Sequence, residues 1–267
     1  MANTNYLFIG AGRMAEAIIS GLVAQSASGS NITVANQSDI KKLNYLEDTY
    51  SVQITQNWES VVSEHNVIIL ATPPQTQQDI LQKLGRIVKD QLVVTVAAGI
   101  DVSYMKKRLP QGTGVCWIMP NTGAQIGKSM SIYTCGKNVT NDQRLIITTL
   151  LDAIGDSEEL SEQQVHDLTA ITGSAPAFVY SFAQALEKAA VANNISREQA
   201  RKLVTSMIKG SVGMLENGGE REELISQVAS PGGSTAEGLK VLEKNNFEET
   251  INEAVKATSI HARGQGV

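Results

Sequence analysis

Residues 230–235 of this 267-residue chain read Ser230, Pro231, Gly232, Gly233, Ser234 and Thr235, and a helical run at 236–244 follows at once. Proline fixes one turn dihedral, the two glycines permit positive φ, and the Ser/Thr pair is suited to cap the helix. Such a turn aims free backbone N–H groups and two hydroxyls at one point, which fits a small carboxylate. The same six residues also describe an ordinary capped helix start.

A second anion-receiving loop lies near the N-terminus. Tyr6–Ile9 reads as a buried strand, then come Gly10, Ala11, Gly12, Arg13, Met14 and Ala15, and a helix from Glu16 to Val23. This is the phosphate turn of a Rossmann unit with its third glycine replaced by Ala15. The first glycine makes the tight turn, the second lets backbone approach a pyrophosphate, and the small third residue lets the helix pack closely. Two such loops in one chain suggest two ligands.

The tip of the second strand carries Asn36, Gln37 and Ser38, with Lys41 and Lys42 beyond, where NAD-specific proteins place a carboxylate on the ribose. Ser38 or the lysines could receive a 2′-phosphate, so NADP is expected, with NAD as the alternative. Small residues follow two further strands, at Ala71, Thr72, Pro73 and Pro74 and at Ala97, Ala98 and Gly99. They either admit a ribose and nicotinamide or simply make strand-to-helix turns. Asn121, after the strand at 115–118, could bond a nicotinamide or the substrate, or hold its own turn.

Missing residues also narrow the chemistry. His65, His166 and His261 lie in three segments without a recognisable orienting partner, and there is no Ser/His/Asp or Cys/His set. Cys116 and Cys135 stand inside apolar runs and read as free thiols rather than a disulfide or a nucleophile. A nucleotide-binding chain with no obvious group to manage an alcohol's proton points to a protonated imine as hydride acceptor. That carbon is already electrophilic, and its reduction needs mainly correct placement.

The elements that must position these loops follow from the hydrophobic pattern. Tyr6–Ile9, Ile32–Ala35, 67–71, 92–96 and 115–118 are short continuous apolar runs, as in strands buried on both faces. Helical stretches at 14–24, 38–50, 75–84 and 102–109 separate them, which predicts a doubly wound, mostly parallel α/β sheet. Residues 25–31 are polar and turn-like. Beyond about residue 160 the pattern turns helical, at 163–171, 175–193, 197–217 and 247–263. The expected domains are therefore 1–160, binding a dinucleotide, and 161–267, all-α.

Residues 175–192 carry only Glu187 and Lys188 as charges. A helix apolar on nearly all sides must be covered on nearly all sides. About 100 residues of helical domain cover it poorly, so a homodimer packed through this helix is expected; the alternative is a central helix wrapped by its own neighbours. A net charge of −5 with no basic face argues against nucleic acid, and the scattered histidines argue against a metal. No apolar run approaches the ~20 residues that span a bilayer. The start Met1, Ala2, Asn3, Thr4, Asn5 lacks a basic leader, so a cytoplasmic location is expected.

Taken in order, residues 10–15, Met119-Pro120-Asn121-Thr122, Gly173-Ser174-Ala175-Pro176-Ala177 and residues 230–235 resemble the pyrroline-5-carboxylate reductases, over nearly the whole chain. The resemblance implies NAD(P)H-dependent reduction of L-1-pyrroline-5-carboxylate to L-proline, by a Rossmann domain followed by an interlocking helical domain. Carried over by position, Ile9, Gly10, Ala11, Gly12, Arg13, Met14, Asn57, Ala71–Pro74 and Ala97–Gly99 look like cofactor contacts, beside Asn36 and Ser38. Ser230, Gly232, Gly233 and Ser234 look like the carboxylate cradle, with backbone N–H of Gly232, Gly233 and Ser234 as donors. Thr235 matches the residue whose hydroxyl reaches the ring nitrogen. Four positions depart from the family's pattern. Gln37 replaces a common arginine, Pro73 a lysine, Ala175 a glycine and Gly123 a proline. The first two remove positive charge from the cofactor side, leaving room for a catalytically weak nucleotide-binding paralogue. A related two-domain hydroxyacid dehydrogenase is the other alternative, but it is expected to carry a catalytic lysine in the first long helix of the second domain, and Lys188 stands late in that helix beside Glu187, a pair that reads as surface-facing.

Overall fold

The structure, a computed structural model, describes residues 4–25 and 28–264, so Met1–Asn3 of the N-terminal run and residues 26–27 of the polar turn lie outside it. The chain forms two compact units, Met1–Ser174 with Thr258–Val267, and Ala175–Ala257.

The first unit is built on β1 (Tyr6–Ile9), α1 (Arg13–Ala24), β2 (Ile32–Ala35), α2 (Ile40–Tyr50), β3 (Gln53–Thr55), β4 (Val67–Leu70), α3 (Pro74–Leu84), β5 (Leu92–Thr95), α4 (Val102–Lys106), β6 (Val115–Met119), β7 (Ser129–Cys135), α5 (Asn141–Asp152), β8 (Gly155–Glu159) and α6 (Glu162–Thr169). The sheet order is β3-β2-β1-β4-β5-β6-β7-β8. Every pairing is parallel except β6 with β7. This is the expected doubly wound sheet. Successive strand residues point to opposite faces, so two cores form. Phe8, Val34, Ile69 and Val94 meet α1, α2 and α5 on one face. Leu7, Ile68, Val93 and Trp117 meet α3, α4 and α6 on the other.

Four elements of this unit are not among the expected strands and helices. β3 is three residues long, with Gln53 exposed. β8 reads Gly-Asp-Ser-Glu-Glu and exists because β7 offers it a backbone ladder; its acidic side chains suit an edge strand. β7 alternates small polar and apolar residues. α5 is set by a capping box of Thr140 and Gln143. The expected helix at 102–109 stops at Lys106, and the 163–171 helix gives way to a π-helical turn at Ala170–Ser174. The expected 160/161 boundary falls just before α6. The compact units part later, at Ser174, because α6 places Val165 in the sheet's second core.

The second unit is helical: α7 (Ala175–Val191), α8 (Arg197–Glu216), α9 (Arg221–Val228), α10 (Ser234–Lys244) and α11 (Phe247–Gly264), whose last turns count with the first unit. α7 and α8 pack together, joined through Asn194 at positive φ and a Ser196–Gln199 capping box. No helix among the described residues is long and apolar enough to cross a membrane.

Candidate active site

Each unit carries one candidate anion-receiving loop. In the first, the ends of β1, β2 and β4 are tied by Gly10 N–H donating to Ala35 O (2.9 Å) and Ala71 N–H to Ile9 O (2.9 Å). Gly10 has φ 113°, and a Cβ there would stand 2.6 Å from Ala71 O, so only glycine closes this turn. At Gly12, the N-cap of α1, a Cβ would meet nothing within 4 Å, and no side chain caps the helix. Uncapped first-turn N–H groups beside open space form an anion site. Ala15 is fully buried, which gives the small third position its purpose.

A groove of about 740 Å³ opens there, walled by Gly10, Asn36, Ser38, Trp58, Thr72 and Ile80 among others. Asn36 shapes its rim, accepting the N–H groups of Ser38 and Asp39 on Oδ1, both at 3.0 Å. Lys42 does not line it. Its ammonium bonds Glu16 Oε2 at 2.6 Å and lies over the Tyr45 ring, so it is committed elsewhere. Burial opposes ionisation of Glu16, but hydrogen bonds from Lys42 and Tyr45 outweigh it and hold the carboxyl below its usual range. Asn57 is exposed outside the groove lining, and its neighbour Trp58 takes that place.

The groove's inner wall depends on residues the sequence did not single out. Gln77, fully buried, donates through Nε2 to Thr72 O (2.9 Å) and accepts from Thr95 Oγ1 (2.8 Å). Thr95 Oγ1 in turn accepts the Ala97 N–H (3.2 Å), and Trp117 Nε1 donates to Ala97 O (2.9 Å). One amide thus ties the loop after β4 to the loop after β5. By residue type alone Gln77 does not stand out from its neighbours Gln75, Gln78 and Gln82. Helical spacing places Gln77 with Leu81 and Leu84 on the inner face of α3. Thr72 Oγ1 is buried and has no hydrogen-bond partner among the described residues.

Two histidines do have orienting partners, against expectation, because the fold brings distant segments together. His166 Nε2 pairs with Asp101 Oδ2 at 2.9 Å and its ring tilts against Trp117, while Asp101 Oδ1 caps α4. His65 is buried, held by Val61 O (2.7 Å) and Thr33 Oγ1 (2.8 Å), a structural role. Asn121 is fully engaged, accepting from Gly123 N–H (2.8 Å) and donating to Thr172 O (3.0 Å). Its geometry matches the turn-holding alternative.

In the second unit, Gly232 takes φ 77° and Gly233 N–H donates to Ser230 O at 2.9 Å. Gly233, not the Ser/Thr pair, is the N-cap of α10, and no side chain caps the helix. Ser234 and Thr235 instead form its first turn. The Gly233 N–H is spent within the loop, which removes one expected donor. The first-turn N–H groups of α10 and the exposed hydroxyls of Ser230, Ser234 and Thr235 remain to meet an anion.

Residues 162–265 match the family described as pyrroline-5-carboxylate reductase dimerisation, and residues 5–99 match NADP oxidoreductase, coenzyme F420-dependent. Pyrroline-5-carboxylate reductase 2 of Bacillus subtilis is 33% identical over 254 residues, covering 94% of this chain and 91% of its own. The Vibrio alginolyticus pyrroline-5-carboxylate reductase is 31% identical, covering 98% and 97%. A crystal structure of the Plasmodium falciparum pyrroline carboxylate reductase with NADP bound superposes with TM-score 0.91 at 28% identity, covering all of both chains. The Coxiella burnetii pyrroline-5-carboxylate reductase gives 0.89 at 28%.

Proposed function

The chain belongs to the pyrroline-5-carboxylate reductase family, and from that premise we propose how its two receptors carry out the reaction. The enzyme reduces L-1-pyrroline-5-carboxylate to L-proline, and its cofactor is NADP. When bound, the reduced nicotinamide supplies the hydride for the C=N carbon. The residues fit that cofactor. Gly10 and Gly12 leave backbone open to a pyrophosphate at the start of α1, and the orphaned Thr72 hydroxyl faces loss of a hydrogen bond unless a ligand supplies one.

Asn36 and Ser38 border the adenosine end of the groove, with Asn57 at its margin. Gln77 holds Thr72 and, through Thr95, Ala97 in register, so that the loops Ala71–Pro74 and Ala97–Gly99 present a fixed wall to the ribose and nicotinamide. The cradle Ser230–Thr235 receives the substrate carboxylate at the uncapped start of α10, and Thr235 orients the ring nitrogen through its hydroxyl. Chemistry then needs little more than placement, because the protonated imine is already electrophilic.

The observation that carries this reading is the pairing of two uncapped helix starts, α1 and α10, in a chain of net charge −5. We further propose a homodimer formed through the second unit's helices, and a cytoplasmic location. Steady-state oxidation of NADPH with pyrroline-5-carboxylate tests the assignment. Turnover that saturates in both ligands is expected; nucleotide binding without turnover would instead support the weak-paralogue alternative.

A further inference from the structure

Cys116 and Cys135 are the only cysteines of the chain, and the fold sets them face to face across the antiparallel β6–β7 pair. Gly136 N–H donates to Val115 O at 2.8 Å, so Val115 and Gly136 occupy a hydrogen-bonded position of the ladder. Cys116 and Cys135 therefore occupy the adjoining non-hydrogen-bonded position, where side chains approach most closely and Cα atoms stand about 4.5 Å apart. That separation lies inside the window a disulfide accepts. Their sulfurs are 3.8 Å apart. Rotation about the side-chain bonds, without backbone movement, can bring them to the ~2 Å of an S–S bond.

The two thiols differ in access and acidity. Cys116 is fully buried in the core beneath α5, whereas Cys135 is only partly buried. Burial pushes the Cys116 thiol well up. With Cys135 ionised, the Cys116 S–H donates to it and pulls its pKa down, against the opposing effects of partial burial and of the Glu159 carboxylate, which is paired with the Arg144 guanidinium. The more exposed sulfur is thus the more readily ionised, and the protected one stands behind it.

We propose that Cys116 and Cys135 are a redox modification site that closes to an intrachain disulfide when the protein meets a hydroperoxide. Cys135, as thiolate, attacks one peroxide oxygen; the O–O bond breaks and the second oxygen leaves with a proton, as water when the oxidant is hydrogen peroxide. Cys135 is now a sulfenic acid. Cys116 gives up its proton and attacks the Cys135 sulfur, the S–S bond forms, and the sulfenic oxygen departs as a second water. Two thiols lose two electrons and the peroxide gains two. Because Cys116 resolves the sulfenic acid in place, Cys135 is spared further, irreversible oxidation. The link would close a loop that contains Asn121 and Ser129, already joined by an Asn121 N–H bond to Ser129 Oγ at 3.0 Å, so it should leave that turn undisturbed.

The full-length protein, in whatever assembly it forms, is treated with hydrogen peroxide, alkylated in denaturant and digested with trypsin. Cleavage after Lys128 separates the two cysteines, so an intact S–S bond appears as a joined peptide pair. Expected are that pair, loss of alkylation at both cysteines, and full recovery with a thiol reductant. In Cys116→Ser the resolving thiol is gone, and Cys135 should accumulate as sulfenic acid trapped by dimedone or as sulfinic acid. The wild-type result stands even if that variant folds poorly. Continued alkylation of both cysteines at peroxide levels that oxidise methionine would overturn the proposal. So would sulfinic acid at Cys135 of the wild type, or disulfides joining separate chains.

Discussion

Helix α1 of the first unit buries Ala15, Ala17, Ile18, Ile19 and Leu22 within one chain, whereas α7 of the second, charged only at Glu187 and Lys188, buries none of its residues. Val179, Tyr180 and Phe182 are 50%, 61% and 48% exposed. Burying a side chain of that size stabilises by about 1.5–3 kcal/mol, so three such residues exposed within four positions mark a surface to be covered. The two helices look alike as sequence and differ only in what stands against them. A helix's composition says that a face must be covered; it does not say by which chain. Among the described residues of a single chain α7 lacks that cover, and residues 162–265 match a dimerisation family. Together these favour a partner subunit over the wrapped-helix alternative.

Placing a charge on α7 should break this contrast most severely. If α7 forms the interface, Phe182→Asp is expected to abolish the dimer at micromolar concentration in light scattering. The same substitution on an α7 already covered by its own chain would destabilise the monomer and leave its oligomeric state unchanged. Next in size is Thr235→Ala. If the hydroxyl orients the imine, kcat/KM falls by about a hundredfold, roughly 2.7 kcal/mol, while the melting temperature stays within a degree or two because Thr235 is exposed in the first turn of α10. A folded variant with unchanged kcat/KM would remove Thr235 from the mechanism.

The first unit is where the sequence was most legible. Continuous apolar runs gave β1 and β2 to the residue, and β4, β5 and β6 to within one residue, because strands buried on both faces leave no other reading. The phosphate turn at Gly10 was legible because only glycine tolerates its φ and its distance to Ala71. β8 was not, since its five residues include no apolar one and its existence is owed to β7. Gln77 was hidden for a related reason. Its importance comes from two partners, Thr72 and Thr95, one of them eighteen positions away, and a buried amide looks the same in sequence as an exposed one. His166 and Asp101 meet across 65 positions, which no local pattern reports.

Gln77→Leu probes that hidden link. Leucine keeps the volume but leaves the buried Thr95 O–H without its acceptor and the part-buried Thr72 O without its donor, at a cost of about 1–3 kcal/mol. The expected result is a lower melting temperature together with a several-fold rise in the KM for NADPH, with kcat changed less. Gln77→Glu buries a carboxyl with no cationic partner, so it should destabilise as well, and increasingly as the pH rises and the group ionises, a dependence that Gln77→Leu lacks. A loss of stability with unaltered KM would make Gln77 a core residue with no bearing on the cofactor.

The smallest effect concerns the rim of the first unit's groove. Gln37 lines the groove beside Ser38, and Lys42 is tied to Glu16; the cations that line the groove among the described residues, Lys83 and Arg86, stand at the end of α3 rather than in the loop after β2. Gln37→Arg places a planar donor there, and Arg binds phosphate through paired hydrogen bonds that glutamine's single amide cannot match. The site is exposed, which limits the gain to roughly fivefold, about 1 kcal/mol. The ratio of the KM values for NADH and NADPH should rise by that factor while the KM for pyrroline-5-carboxylate stays constant. A change in the substrate's KM instead would show that the rim acts on both ligands, and an unchanged cofactor ratio would show that Gln37 does not face the 2′-phosphate.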